Sequence, residues 1–137
     1  QFFDISCEDI SNDCLDVSGA QINGNFLKGN RINDKGLSFG ENSNGEILNI
    51  DFQNTKLGIA VKDGSKLNLS KYRLKNNEYD LAVFNKKNEY NGSLLNIKEP
   101  LEKNDLKFVI GFNNFIVKDN IDIKDKIDNT KINELFY

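Results

Sequence analysis

Four short stretches share one pattern of apolar and polar positions: Leu15-Asp16-Val17, Leu37-Ser38-Phe39, Ile59-Ala60-Val61 and Leu81-Ala82-Val83. Each reads apolar, small or polar, apolar, the period of two that belongs to a strand with one buried face. Their first residues, Leu15, Leu37, Ile59 and Leu81, are 22 positions apart each time. The flanks keep the same step, with Ile10-Ser11-Asn12-Asp13 falling over Ile32-Asn33-Asp34-Lys35 and Ser43 over Ser65. A second alternating run follows within the units, as in Leu48-Asn49-Ile50-Asp51-Phe52 and Leu67-Asn68-Leu69. Asn, Asp and Gly stand between the runs, residues that tolerate left-handed backbone and close local turns.

A 22-residue unit of short strands and tight corners cannot bury its own apolar side and must stack on its neighbours. The pattern therefore predicts an all-β fold, a parallel β-helix with 22-residue coils, right-handed by the usual crossover rule. A leucine-rich repeat is the rival at this length, but its helical return is not seen where the second runs alternate like strands. Residues 1–98 read as about four coils, the first one incomplete, so that upstream coils or a further domain of the same polypeptide are expected. Residues 99–137 read as a C-terminal capping segment. It opens on a loop at Pro100, holds two strands at 106–111 and 115–117 about the turn Phe112-Asn113-Asn114, and ends on a short helix at 129–135.

Composition narrows the chemistry. The 137 residues contain no His, Met or Trp, which removes Ser-His-Asp and Cys-His catalysis and His-based metal sites. The absence of Met also implies that the chain does not start at its own initiator. Net charge is −3 and mean hydropathy −0.55, without the basic excess that nucleic acid requires and with no apolar run long enough for a membrane-spanning segment. Asn, in contrast, occurs 22 times. Biased codon usage accounts for most of these; stacked Asn amides bonding from coil to coil account for a few, with Asn54 over Asn76 the best pair. Cys7 and Cys14 can pair if the protein is exported, or remain inert thiols. The triplets Asn68-Leu69-Ser70 and Asn91-Gly92-Ser93 are what so much Asn produces by chance, and Asn85 to Tyr90 reads as an exposed loop.

The stretches at 12–19, 34–43 and 58–65 resemble the repeats of right-handed parallel β-helix domains of the pectin-lyase-like superfamily, in particular those of large bacterial surface or secreted proteins. The resemblance spans roughly residues 9–98 and is specific for the fold rather than for an activity. It implies an extracellular or cell-surface location and either of two functions. One is a non-catalytic module serving as a rigid scaffold, with carbohydrate or a protein surface as partner. The other is a polysaccharide lyase- or epimerase-like fragment. Lyases of the superfamily hold calcium on acidic residues of adjacent coils, with an Arg or Lys base nearby.

Stacking at 22 residues puts Gly19, Glu41, Asp63 and Asn85 in one ladder, about 4.8 Å per step, so that Glu41, Asp63 and Asn85 could share a Ca²⁺ ion. Lys62 and Lys35 are the nearest bases, and Lys62 with Asp63 would be the catalytic residues of an enzyme. The plainer expectation is a solvated corner in which Lys35 or Lys62 neutralises Glu41 and Asp63, with no cofactor. Outward positions Asp16, Ser38, Ala60 and Ala82 form a flat floor that could receive sugar, the cap or another protein. Its expected ligand face comprises Asp16, Ser38, Lys35, Glu41, Tyr79 and Tyr90, whereas Tyr72 is expected to turn inward beside Ile50.

Overall fold

A computed structural model describes residues 2–98 and 106–137; the loop expected at Pro100 lies outside the described residues. The strands are β1 (Phe3–Ile10), β2 (Leu15–Ser18), β3 (Gln21–Gly40), β4 (Asn44–Lys62), β5 (Lys66–Lys75), β6 (Tyr79–Phe84), β7 (Leu94–Ile97), β8 (Phe108–Ile110), β9 (Phe115–Lys118) and β10 (Ile121–Asp122), and the single helix among the described residues is α1 (Asn129–Phe136). The long β3 and β4 run around corners, so each contributes to all three faces of a solenoid. Among the described residues, successive coils pair in parallel and only the β9–β10 pairing is antiparallel.

The register is the one that the hydrophobic pattern dictates. Leu15 pairs with Leu37, Leu37 with Ile59, Ile59 with Leu81, and Leu81 with Phe108, giving five rungs on the first face. The second face stacks Ile47, Leu69 and Ile97 and the third Ile5, Leu27, Ile50 and Tyr72. Inward residues of the middle coils, including Leu27, Leu37, Phe39, Ile47, Phe52, Ile59 and Leu81, are buried and form one continuous column. Tyr72 packs against this column, beside Ile50 as expected. The step is not uniform: Lys66 pairs with Leu94, 28 residues on, because the 85–93 loop widens the fourth coil.

Corners keep the coils in step through repeated backbone geometry and bonded polar ladders. Gly19, Glu41 and Asp63 share positive φ at one corner (62°, 54° and 55°), and Asp9, Arg31, Asn54 and Asn76 share it at another (56–57°). Glu41 and Arg31 are not residues that favour this region, so stacking imposes a corner that their own preference opposes. Ser43, Ser65, Ser93 and Asn114 form a buried ladder in which each backbone N–H donates to the side-chain oxygen one coil further on (3.1, 3.2 and 2.7 Å). Asn stacking is present, though not at the expected pair. Asn96 donates to Asn68 (3.1 Å) and Asn114 to Asn85 (2.8 Å), whereas Asn54 donates to Asn30 at 2.9 Å rather than meeting Asn76. Asn77 satisfies its whole amide: Oδ1 accepts from Thr55 N and Oγ1, and Nδ2 donates to Phe52 O and Asp80 Oδ1.

The last segment does three separate things. β8 and β9 continue the stack as a fifth turn. β10 and the Gly111–Ile127 bridge then cover the exposed sheet edges of that turn. Finally α1, capped by Asp128 accepting from Thr130 N, folds back along the side of the solenoid instead of across its end. Its Ile132 and Phe136 are buried against Leu57, Ala60, Ala82 and Phe84.

Candidate functional site

Of the residues singled out by the sequence, Asp16, Glu41, Lys62 and Asp63 meet where the first face ends and α1 finishes. β2, β3, β4 and β6 run off that face at Ser18, Gly40, Lys62 and Phe84, and the αL corner that follows turns Glu41 and Asp63 outward from the core column. A shallow cleft of about 130 Å³ lies here, lined by Asp16, Ser18, Glu41, Lys62, Asp63 and Lys86, among others. Tyr137 contacts two of the lysines that line it and a third nearby: the Lys86, Lys35 and Lys62 ammonium groups lie 3.9, 4.4 and 5.1 Å from the centre of its ring, and Lys62 Nζ donates to the phenol oxygen at 2.6 Å.

The charges here are mutually engaged. Lys35 is 2% exposed and bonds Asp34 at 2.9 Å, with Asp13 at 4.0 Å. Burial holds the Lys62 ammonium below the ordinary lysine range, and repulsion from Lys35 and Lys86 adds to the effect against Asp16 and Asp13. Burial, and then the nearby carboxylates of Asp13, Asp34, Asp63 and Asp16, push the Tyr137 phenol up. Asp13 is raised chiefly by burial, which outweighs its bond from Lys35 N.

The ladder expected to hold calcium is spent on partners within the chain. Glu41 pairs with Lys87 at 2.8 Å, and this bond, followed by one from Ser18, holds its carboxyl below the usual range. Asp63, 1% exposed, accepts the backbone N–H groups of Lys86 and Lys87 through one oxygen (2.8 and 2.7 Å). Asn85 donates to the carbonyls of Tyr90 and Asn91 and accepts from Asn114. The cation bonded to Glu41 is therefore Lys87, from the 85–93 loop, with Lys62 a weaker contributor through its charge. The repeat could not reveal this, because the loop widens the coil well beyond the 22-residue step and has no counterpart in the other units. Among the described residues, no three His, Cys, Asp or Glu side chains come together as a metal site.

The expected ligand face divides in two. Asp16 stays exposed and Glu41 half-exposed at the cleft, but Ser38 is 1% exposed and Lys35 is buried, so neither presents a surface. α1 covers the floor at Ala60 and Ala82, which makes the cap its occupant. Tyr79 stands edge-on to Phe136 with ring centres 5.3 Å apart and is part of that seam; Tyr90, half-buried in the loop, is remote from it in sequence and contacts Asn85 through its backbone carbonyl. The aromatic that meets the lysines is Tyr137, a candidate with the other tyrosines that sequence reading set behind Tyr79 and Tyr90, because its position depends on how α1 folds back. Cys7 and Cys14 form a disulfide across the first corner, with Cα atoms 5.8 Å apart. Compared with protein-family models, curated protein sequences and solved structures, the chain matches none.

Proposed function

We propose that the chain is a non-catalytic parallel β-helix module, of pectin-lyase-like type, from a bacterial extracellular or surface protein. In this reading it is a rigid scaffold that offers its corner cleft to carbohydrate or to a protein surface. The observation that carries the reading is the commitment of Glu41, Asp63 and Asn85 to Lys87, to backbone N–H groups and to Asn114, which leaves the ladder built as a corner support and not as a ligand cage. The Cys7–Cys14 disulfide supports an oxidising location, since such bonds persist outside the reducing cytosol. A second reading, a polysaccharide lyase- or epimerase-like fragment, is favoured by the desolvated Lys62, whose lowered ammonium is what a lysine base needs. Calcium titration followed by calorimetry, with an assay on acidic polysaccharide, separates the two. The scaffold reading expects no heat and no product. Activity that disappears in Lys62→Gln and in Asp63→Asn establishes the second reading instead.

A further inference from the structure

Three ammonium groups gather at the Tyr137 ring, and they are not equivalent. Lys35 is bonded to Asp34, whereas neither Lys62 nor Lys86 has a carboxylate at ion-pairing distance among the described residues. Lys62 is also the one held most firmly in the cleft. Its stem lies flat over Gly40, where an added Cβ would come within 3.1 Å of both Lys62 Cγ and Cε. Its Nζ is anchored on the phenol oxygen at 2.6 Å. The acids nearest the corner are already used, Glu41 by Lys87 and Asp63 by two backbone N–H groups.

Such surroundings favour a neutral amine, and then a negative group, at Lys62 Nζ. Burial disfavours the ammonium first, and the charges of Lys35 and Lys86 add to this. The two cations that repel an ammonium at this atom attract an anion placed on it. Asp16 and Asp13 act the other way, but more weakly than Lys35 and Lys86. The phenol hydrogen of Tyr137 can be donated to an oxygen of the new group. Neither neighbouring lysine is comparable: Lys35 keeps its proton against Asp34, and Lys86 is exposed to water. Carbon dioxide makes an anion from a neutral amine with no further reactant, and it is small enough for a shallow cleft of about 130 Å³. The Nζ lone pair bonds to its carbon, one C=O electron pair becomes the carboxylate charge, and the surplus Nζ proton passes to water.

The geometry points to Lys62 as a carbon dioxide site, where Nζ carries a reversible carbamate held between Lys35 of β3, Lys86 of the 85–93 loop and the Tyr137 phenol. The site stands whether the module is a scaffold or a lyase fragment. The test equilibrates the 137-residue chain with isotope-labelled carbon dioxide and bicarbonate at constant pH near neutral, and follows bound label by carbon NMR. Alkylation with a trialkyloxonium salt then traps the carbamate as an ester, which peptide mass mapping locates. The expected result is a carbamate resonance that grows with carbon dioxide pressure and a trapped ester on Lys62. Lys62→Arg should abolish both. Lys86→Gln, at an exposed position that leaves the fold intact, should lower occupancy about threefold at the same pressure, the scale of one partly screened charge pair. Should Lys62→Arg fail to fold, the trapping map of the unaltered chain decides alone. No carbamate resonance, an ester found only on other amines, a signal unchanged in folded Lys62→Arg, or equal occupancy in Lys86→Gln each overturns the proposal.

Discussion

Removing one ring tests how α1 is held and what it covers. An eight-residue helix is far too short to persist alone in water, so α1 exists because Ile132 and Phe136 are buried. Phe136 is 4% exposed, meets Tyr79 edge-on at 5.3 Å and Phe84 at 6.1 Å, and closes over Ala60 and Ala82. Truncating a buried Phe to Ala costs about 3 kcal/mol or more, including the lost ring pairs. Every 1.4 kcal/mol is tenfold, so docking of α1 weakens by about a hundredfold in Phe136→Ala. The column of the solenoid does not include Phe136 and should stay folded. Hydrogen exchange should then show loss of protection across residues 129–137, with the amides of β4 and β6 still protected, and a hydrophobic dye should bind the uncovered floor. Unchanged protection of α1 would refute the claim that this seam holds the helix. Simultaneous loss through β4 and β6 would refute its separability from the solenoid.

Other consequences are more local. Asn77→Leu leaves Thr55 N, Phe52 O and Asp80 without their buried partner and should cost about 2–4 kcal/mol in denaturant unfolding, more than any exposed Asn. Asn76, exposed at φ 57°, should favour Gly over Ala by about 1 kcal/mol in the same assay, because only the left-handed region is at issue. The lowered Lys62 ammonium should make it the fastest lysine to acylate near neutral pH, read by peptide mass mapping. The sign for stability follows: Lys62 releases its proton earlier in the folded state than in the unfolded one, so its contribution improves as pH rises from its lowered value toward 10.5. Asp13 has the opposite sign to a paired carboxylate. Its raised folded value means that its contribution worsens as pH rises from 3.8 through that value, so Asp13→Asn, which keeps an acceptor for Lys35 N, should hold or raise the melting temperature at pH 7 and not lower it.

What was legible in the sequence follows from where the free energy is decided. Leu15, Leu37, Ile59 and Leu81 had to stack, because a one-residue slip would turn every inward residue out to solvent; alternation alone therefore gave the fold and the register. Side-chain destinations at the corners are set differently. Asn54 could meet either Asn76 below or Asn30 above with similar local geometry, and the choice fell to Asn30, a contact 24 residues away that the 22-residue comparison does not align. The cleft shows the same division more sharply. Stacking brought Glu41 over Asp63 as the repeat implied, but the groups that fix their chemistry, Lys87, Lys86 and Tyr137, come from the irregular 85–93 loop and from the end of α1. In a solenoid, repetition specifies the column and its corners. The departures from repetition decide which charges are spent, so the cleft had to be located in three dimensions.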